Sequence, residues 1–312
     1  MLLQFPFENA DKVDRPQPIP KNFFRRKTIG GNGHENLTLI RLLSTIIGMM
    51  VPEEDKALEI LLDLKDLVEL VLSPVFTEDV IQYLSMKISD HRQLLQEVFP
   101  DVKLRPKHHY IEHYPQMIRR FGPLVHFWTI RFEGKHKVFK KIVHDAQNFK
   151  NVPKTLAYKH QQLMAYHLSL PNFFKPSVET FAVKNVFVNT LRPEAQSVIH
   201  QITKSTTVYR TSKIAIDSIY YATGMFVCTE VKWELPQFKK IVDIIVNDQV
   251  LFDCQNYQSW FREHFRAYEV TAQESHEMKT QSELHDVNPL TAYRKSGQLH
   301  HHITTKHFLI LS

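Results

Sequence analysis

The hydrophobic periodicity of this sequence changes near Pro171, and this change limits the possible folds more than any other feature. Before it, apolar residues recur at helical spacing, for example at Leu39, Leu42 and Ile46. After it, short apolar runs lie between turn residues, as expected for strands. The sequence therefore predicts an α+β fold, with a mainly α-helical N-terminal region followed by a small antiparallel β-barrel-like module.

Proline and turn residues divide the chain into five predicted segments. The first contains Arg15-Pro-Gln-Pro-Ile-Pro20, which favours extended backbone because each proline fixes φ. The last contains His300-His-His302 and is expected to be loosely ordered. The segments are an irregular lead-in over 1–36, a helical domain over 37–170, a connector over 171–205, a small β module over 206–272 and a polar His-rich tail over 273–312.

Several helices and strands can be placed more closely. Thr77 is a good N-cap for one helix, since its hydroxyl can accept a hydrogen bond from the first turn. Asn247-Asp-Gln249 is a plausible hairpin turn between two strands. The predicted helices begin at 37, 57, 77 and 154, with two or three more over 108–144, and the predicted strands cover 206–210, 224–231, 239–246, 250–254 and 265–271.

Positive charge is concentrated in one part of the chain. Residues 105–160 contain 12 lysines and arginines but three acidic residues, a net charge of +9 within a chain of net charge +6. Residues 53–103 have 12 acidic and five basic residues, a net charge of −7. A polyanion is the natural partner of such a basic segment, because phosphate groups attract clustered cations.

Glu133 is an isolated carboxylate within the basic segment, in Arg131-Phe-Glu-Gly-Lys-His-Lys137. One interpretation is an ion pair with Lys137, four residues later on a helix. The other is a metal-binding carboxylate, surrounded by cations that hold a phosphodiester. The spacing alone leaves both interpretations open.

Other residues could also hold a metal ion. Asp63 and Asp66 lie three residues apart on a helix, where they could ligate a divalent cation or form a solvated edge. His109 and His113 could share a helix face, and His144-Asp145 resembles a metal-ligand pair of helical phosphohydrolases. Histidines that contact phosphate or lie partly buried are the competing explanation.

Two sequence features exclude other protein classes. The two cysteines, Cys228 and Cys254, exclude a disulfide scaffold and a four-cysteine zinc site. No window has the roughly 18 consecutive apolar residues of a membrane span, so no membrane association is expected. We expect a soluble intracellular protein with reduced thiols.

Blocks of sequence between about residues 18 and 270 resemble, in the same order, blocks of one known family. They include Val51-Pro-Glu-Glu-Asp55, Ser73-Pro-Val-Phe-Thr-Glu-Asp79, Pro106-Lys-His-His-Tyr-Ile-Glu-His-Tyr-Pro115, Trp128-Thr-Ile-Arg-Phe-Glu-Gly-Lys-His136, Asn148-Phe-Lys-Asn-Val-Pro-Lys-Thr-Leu-Ala157 and Phe238-Lys-Lys-Ile-Val-Asp-Ile244. In these blocks the chain resembles the C-terminal half of animal CACTA (EnSpm-type) DNA transposases.

The resemblance implies a DDE-type, RNase H-like enzyme that cuts DNA with two divalent metals held by three acids. Glu133 is the candidate for the third acid and thus for a metal ligand. The first two acids normally come from upstream strands, and no acid-bearing strand precedes Leu37 in this sequence. We therefore expect no cleavage by this chain alone, and the cofactor that the resemblance implies is the Mg²⁺ of the intact family.

The predicted function is that of a transposon-derived, DNA-binding remnant in the nucleus, which contacts the phosphate backbone with weak sequence preference. A protein-interaction module adopted by the host and a metal-dependent helical phosphohydrolase are the alternatives. Self-association is left open. The predicted DNA-contacting residues are Arg119, Arg120, Arg131, Lys135, Lys137, Lys140, Lys141, Lys150 and Lys154.

Overall fold

A computed structural model describes residues 2–26, 28–147, 149–170, 178–203, 205–294 and 300–309. Side chains at 3, 26, 131–135 and 137 also lie outside the described part. The chain forms two compact units. Unit 1 comprises Met1–Val125 together with Val178–Ser312, and unit 2 comprises His126–Ser177.

The α-helices of the described residues lie mostly before residue 170. Of these helices, none is long and apolar enough to cross a lipid bilayer. They are α1 Asn9–Val13, α2 Phe23–Arg26, α3 Gly33–Ile47, α4 Lys56–Val71, α5 Glu78–Val98, α6 Pro106–Tyr110, α7 Tyr114–Phe121, α8 Thr129–Ala146, α9 Val152–Ser169 and α10 Pro193–Ile202.

The strands form two antiparallel sheets, both in unit 1. The smaller sheet has the order β1-β4-β5, and the larger has a main path β10-β6-β7-β8-β9-β12-β11, with β3 joining β7 to β2. The strands are β1 Val178–Phe181, β2 Lys184–Phe187, β3 Thr207–Thr211, β4 Lys213–Ile216, β5 Ile219–Ala222, β6 Phe226–Lys232, β7 Leu235–Val246, β8 Val250–Arg262, β9 Ala267–Lys279, β10 Asp286–Leu290, β11 Ala292–Tyr293 and β12 His301–Ile303.

The α+β class predicted from the sequence is confirmed, since a helical N-terminal region precedes a curled antiparallel sheet that forms a half-barrel. The β7–β8 hairpin turns at 247–249, where the Asn247 amide donates to the Gln249 carbonyl at 3.1 Å. Thr77 caps α5 as predicted, because its hydroxyl accepts from the Val80 amide at 3.4 Å. Local signals therefore placed these elements correctly.

Apolar side chains from helices and sheet fill separate cores within unit 1. Leu67 of α4, Leu84 of α5 and Ile118 of α7 belong to a helical core. The sheet core includes Phe252 and Cys254, and Cys228 is buried in a neighbouring cluster. Burial raises the pKa of both cysteine thiols to about 12, and neither forms a disulfide. Both thiols therefore remain protonated, unreactive core groups.

The first 36 residues differ from the predicted irregular lead-in. Helix α1 places Asp11 in the interior, where its carboxylate pairs with Arg41 of α3 and accepts from the Tyr293 hydroxyl at 2.7 Å. Phe7 packs against Leu42 in the same region. The prolines over 16–20 suggested extended chain, but the aromatic residues before them supply enough apolar surface to dock this segment.

The segments predicted as a connector and as a polar tail also differ from the prediction, because both contain paired strands. Strands β1 and β2 and helix α10 lie in 178–202, and β9 continues to Lys279. Strand β12 pairs with β9, and His302 in it is only 4% exposed. Polar residues on one sheet face weaken the hydrophobic signal, and the pairing partner of β12 lies about 30 residues away.

Candidate nucleic-acid interface

Unit 2 is a helical hairpin made by α8 and α9, which pack against each other. Helix α8 ends at Gln147, whose φ of +50° lies in the left-handed region. Helix α9 begins after Asn151, whose side chain accepts from the Lys154 amide at 3.2 Å. The Phe139 and His160 rings meet edge to face across the hairpin, with centroids 6.2 Å apart.

The hairpin carries a cluster of exposed lysines. Residues 126–170 contain eight basic and two acidic residues, a net charge of +6. Four of these lysines form no ion pair with a carboxylate among the described residues. The carboxylate of Asp145, on the same hairpin, lies 3.4 Å from the His144 Nδ1 atom. We call these four the hairpin lysines: Lys140, Lys141, Lys154 and Lys159.

The predicted DNA-contacting residues fall in both units. Lys140, Lys141, Lys150 and Lys154 are exposed in unit 2, whereas Arg119 and Arg120 lie on α7 in unit 1. Lys159, a further hairpin lysine, was counted in the basic segment but was not among the predicted contacts. The fold of the hairpin places the Lys159 side chain on an exposed face, which the sequence alone does not show.

Arg119 already forms an ion pair with a carboxylate of unit 1. Its guanidinium donates to the Glu78 carboxylate, with Nε 3.0 Å from Oε1, and this hydrogen bond lowers the pKa of Glu78. Arg120 lies over the ring of Phe121, 5.3 Å from its centroid. Arg119 would have to leave its carboxylate to meet a phosphate, so it is a poorer candidate than the hairpin lysines.

The side chains of Arg131, Glu133, Lys135 and Lys137 lie outside the described part of the structure, although α8 includes their backbone. The role of Glu133 as a catalytic acid or Mg²⁺ ligand therefore stays a prediction.

The histidines predicted as a metal pair do come together. The Nε2 atoms of His109 and His113 are 3.2 Å apart, and His109 Nδ1 lies 3.1 Å from the Glu112 carboxylate. His144 and Asp145 belong to the other unit. Over the part of the chain that the structure describes, no group of three or more His, Cys, Asp or Glu side chains could hold a metal ion.

Asp63 and Asp66 form neither a metal pair nor a solvated edge. Asp63 Oδ2 lies 2.9 Å from His91 Nδ1, and its other oxygen accepts from Lys87. Asp66 pairs with Arg266 at 3.3 Å. These partners lie on α5 and at the residue just before β9, so the sequence around α4 does not indicate them.

Replacing Asp63 with asparagine should produce a pH-dependent loss of stability. Burial alone would raise the pKa of Asp63, but hydrogen bonds from His91 and Lys87 outweigh it and lower that pKa. A lowered pKa stabilises the fold above the unfolded-state pKa of about 3.9, and this stabilisation disappears as the pH falls through the folded-state value. We expect Asp63→Asn to cost about 1–3 kcal/mol at pH 7 and progressively less as the pH falls below about 3.9.

Urea unfolding at pH 7 and pH 3 measures this difference. Asp101→Asn is the matched control, because Asp101 is exposed on the loop after α5 and should change little at either pH. A cost of Asp63→Asn that is the same at both pH values would contradict the assignment.

Comparison with known proteins adds no family to these observations: no family model, curated protein or solved structure matches the chain. The similarity to CACTA transposases thus stays a prediction from the sequence blocks.

Proposed function

We propose that this chain binds the phosphate backbone of duplex DNA through the α8–α9 hairpin. The observation that carries the proposal is the set of hairpin lysines, which are exposed and, among the described residues, have no acidic partner. A lysine without a carboxylate can meet a phosphate without first breaking an ion pair. Each such contact releases counterions from DNA, which favours binding.

The chemistry of lysine limits what such an interface can recognise. An ammonium group is a point charge on a flexible stem, well suited to a phosphate but poorly suited to bidentate recognition of a base. Backbone contacts fix position and carry little sequence information. The proposed binding is therefore strong at low salt and tolerant of DNA sequence.

The sequence blocks support a more specific version of this proposal, in which the chain is a nuclear, DNA-binding remnant of a DDE-type transposase without a complete catalytic centre. Strand cleavage with two Mg²⁺ ions needs three acids, and Glu133 is the one candidate that the blocks suggest. The remnant would hold DNA without cutting it.

A salt titration tests the proposal. We expect the affinity for a 20-base-pair duplex, followed by fluorescence anisotropy, to fall about a hundredfold between 50 and 200 mM NaCl if four phosphates are neutralised. Duplexes of unrelated sequence should give similar curves, and added Mg²⁺ should leave the strands intact on a denaturing gel. An affinity that stays constant over a tenfold range of salt would refute the proposal.

A second candidate, a host protein-interaction module, is supported by the apolar surface of the hairpin. No described side chain of α9 is fully buried, and Tyr158 and Tyr166 are 64% and 60% exposed. A complex formed through these rings should survive nuclease and 500 mM NaCl, whereas a DNA-mediated complex should not. Pull-downs with and without nuclease separate the two functions.

A further inference from the structure

Unit 1 contains a cavity of about 560 Å³ that the proposed DNA interface does not use. It lies among α1, strand β5 and strand β10, and its volume is within the range of small-molecule sites, roughly 300–1,000 Å³. All of its lining residues belong to this one unit.

One wall of the cavity is apolar, and hydrogen bonds fix one of its residues in place. It includes Ile219, Tyr220, Tyr221 and Met225. Tyr221 is fully buried, and its hydroxyl donates to the Val287 carbonyl at 2.6 Å and accepts from Gln281 at 3.0 Å. Since this hydroxyl is already satisfied, Tyr221 contributes no unpaired polar group to the wall, which suits a ligand with an apolar ring or chain.

Lys306 is one of several polar and charged residues in the lining of the cavity. Burial lowers the pKa of its ammonium group. The nearby Asp11 is committed to Arg41 and Tyr293, and Asp286 accepts two hydrogen bonds from Asn288. Within the described residues, no carboxylate forms an ion pair with Lys306.

Three further charged residues, Asp11, Asp14 and Lys213, also line the cavity. Asp14 makes no ion pair with Lys306 in the described structure, and Lys213 is exposed at the first position of β4. Lys306 is thus a cation at an apolar wall without a counter-ion of its own, and such a group is costly unless an anion joins it.

We propose that this cavity binds a small organic anion, with a carboxylate or phosphate against the Lys306 ammonium and an apolar ring or chain against Ile219 and Tyr221. The anion would supply the missing counter-ion, and the apolar body would be removed from water. Both acid types share the chemistry that Lys306 recognises.

Pyridoxal 5′-phosphate is a suitable probe of the Lys306 nitrogen, because its aldehyde reacts with the neutral amine, whereas an acid bound against Lys306 would keep that nitrogen protonated and unreactive. The neutral Lys306 amine would add to the aldehyde and lose water to form an imine, which borohydride then reduces by hydride transfer to a stable secondary amine. Peptide mass spectrometry of the full chain locates the label. We expect Lys306 to be labelled faster than exposed Lys56, since burial lowers the pKa of Lys306 and so leaves more of its amine neutral.

Competition shows whether labelling reports a binding site. Phenyl phosphate and benzoate should each be tested for protection of Lys306 in the unaltered chain, and the more protective one identifies the preferred acid. Lys306→Arg should abolish labelling in the cavity while Lys56 is still labelled. Ala222→Trp, which adds bulk to the lining, should slow labelling of Lys306 at least about tenfold if the cavity holds the probe.

Labelling of Lys306 no faster than that of Lys56, or labelling that neither acid reduces, would overturn the proposal. Because the competition uses the unaltered chain, this result does not depend on whether the variants fold.

Discussion

Replacing Lys65 with methionine is expected to lower the free energy of unfolding by about 3–5 kcal/mol. The Lys65 side chain is only 1% exposed, and its ammonium group donates to the backbone carbonyls of Phe265 and Arg266. It also lies 3.8 Å from Glu69 Oε1. Methionine preserves the volume of the stem but leaves a buried carboxylate without its cation and the Arg266 carbonyl without its Lys65 donor, while the Phe265 carbonyl keeps the hydrogen bond from the Ser44 hydroxyl.

The pKa shifts of this pair have the same cause. Burial lowers the pKa of Lys65 and raises the pKa of Glu69, because both charged forms are poorly solvated in the interior. Removing one partner of such a pair therefore costs more than the pair itself contributes.

Urea unfolding of the variant at pH 7 measures the loss. Lys56→Met is the matched control: Lys56 lies on the same helix and pairs with Glu59, but its side chain is 67% exposed, so we expect a change below about 0.5 kcal/mol. The double variant Lys65→Met, Glu69→Leu should regain much of the lost stability. A cost below about 1 kcal/mol for Lys65→Met would contradict the buried arrangement.

Neutralising all four hairpin lysines, as Lys→Gln at 140, 141, 154 and 159, should remove most of the affinity for DNA. Each phosphate contact contributes roughly 0.9 to the slope of log affinity against log salt, so the slope should shrink by about 3.6. At 50 mM NaCl we expect at least about a hundredfold weaker binding, measured by anisotropy with the same duplex.

A control with the same change in net charge distinguishes the interface from general charge. It replaces four exposed lysines of unit 1 with glutamine: Lys56, Lys103, Lys184 and Lys232. Two of these, Lys56 and Lys232, already pair with carboxylates. The control should retain most of the affinity, and an equal loss in both variants would mean that no particular surface of the chain binds DNA.

Elements fixed by nearby residues could be predicted from the sequence. The Thr77 cap of α5 and the turn between β7 and β8 depend on side chains within a few residues, and both lie where the sequence placed them. Helix α1 and strand β12 could not be found in this way. Their stabilising partners lie in distant parts of the chain, and no local pattern reports such pairings.

The same distinction applies to the candidate site. The excess of basic residues could be counted in the sequence, but the neutralisation of Arg119 by Glu78 required the packing of α7 near α5. Asp63 resembles a helix-edge carboxylate in the sequence because its partners, Lys87 and His91, are more than 20 residues away. The sequence shows which residues are charged, but only the fold shows which groups those residues contact.

The pairing of early and late residues has a consequence during translation. Arg41 donates to Thr304 across 263 positions, and Asp11 accepts from Tyr293 across 282. A ribosome must therefore make almost the whole of this sequence before α1 and α3 obtain these partners. Until then, the nascent helices would lack part of their tertiary contacts and would expose apolar surface. Folding would therefore be slow, and chaperones would be needed to prevent aggregation.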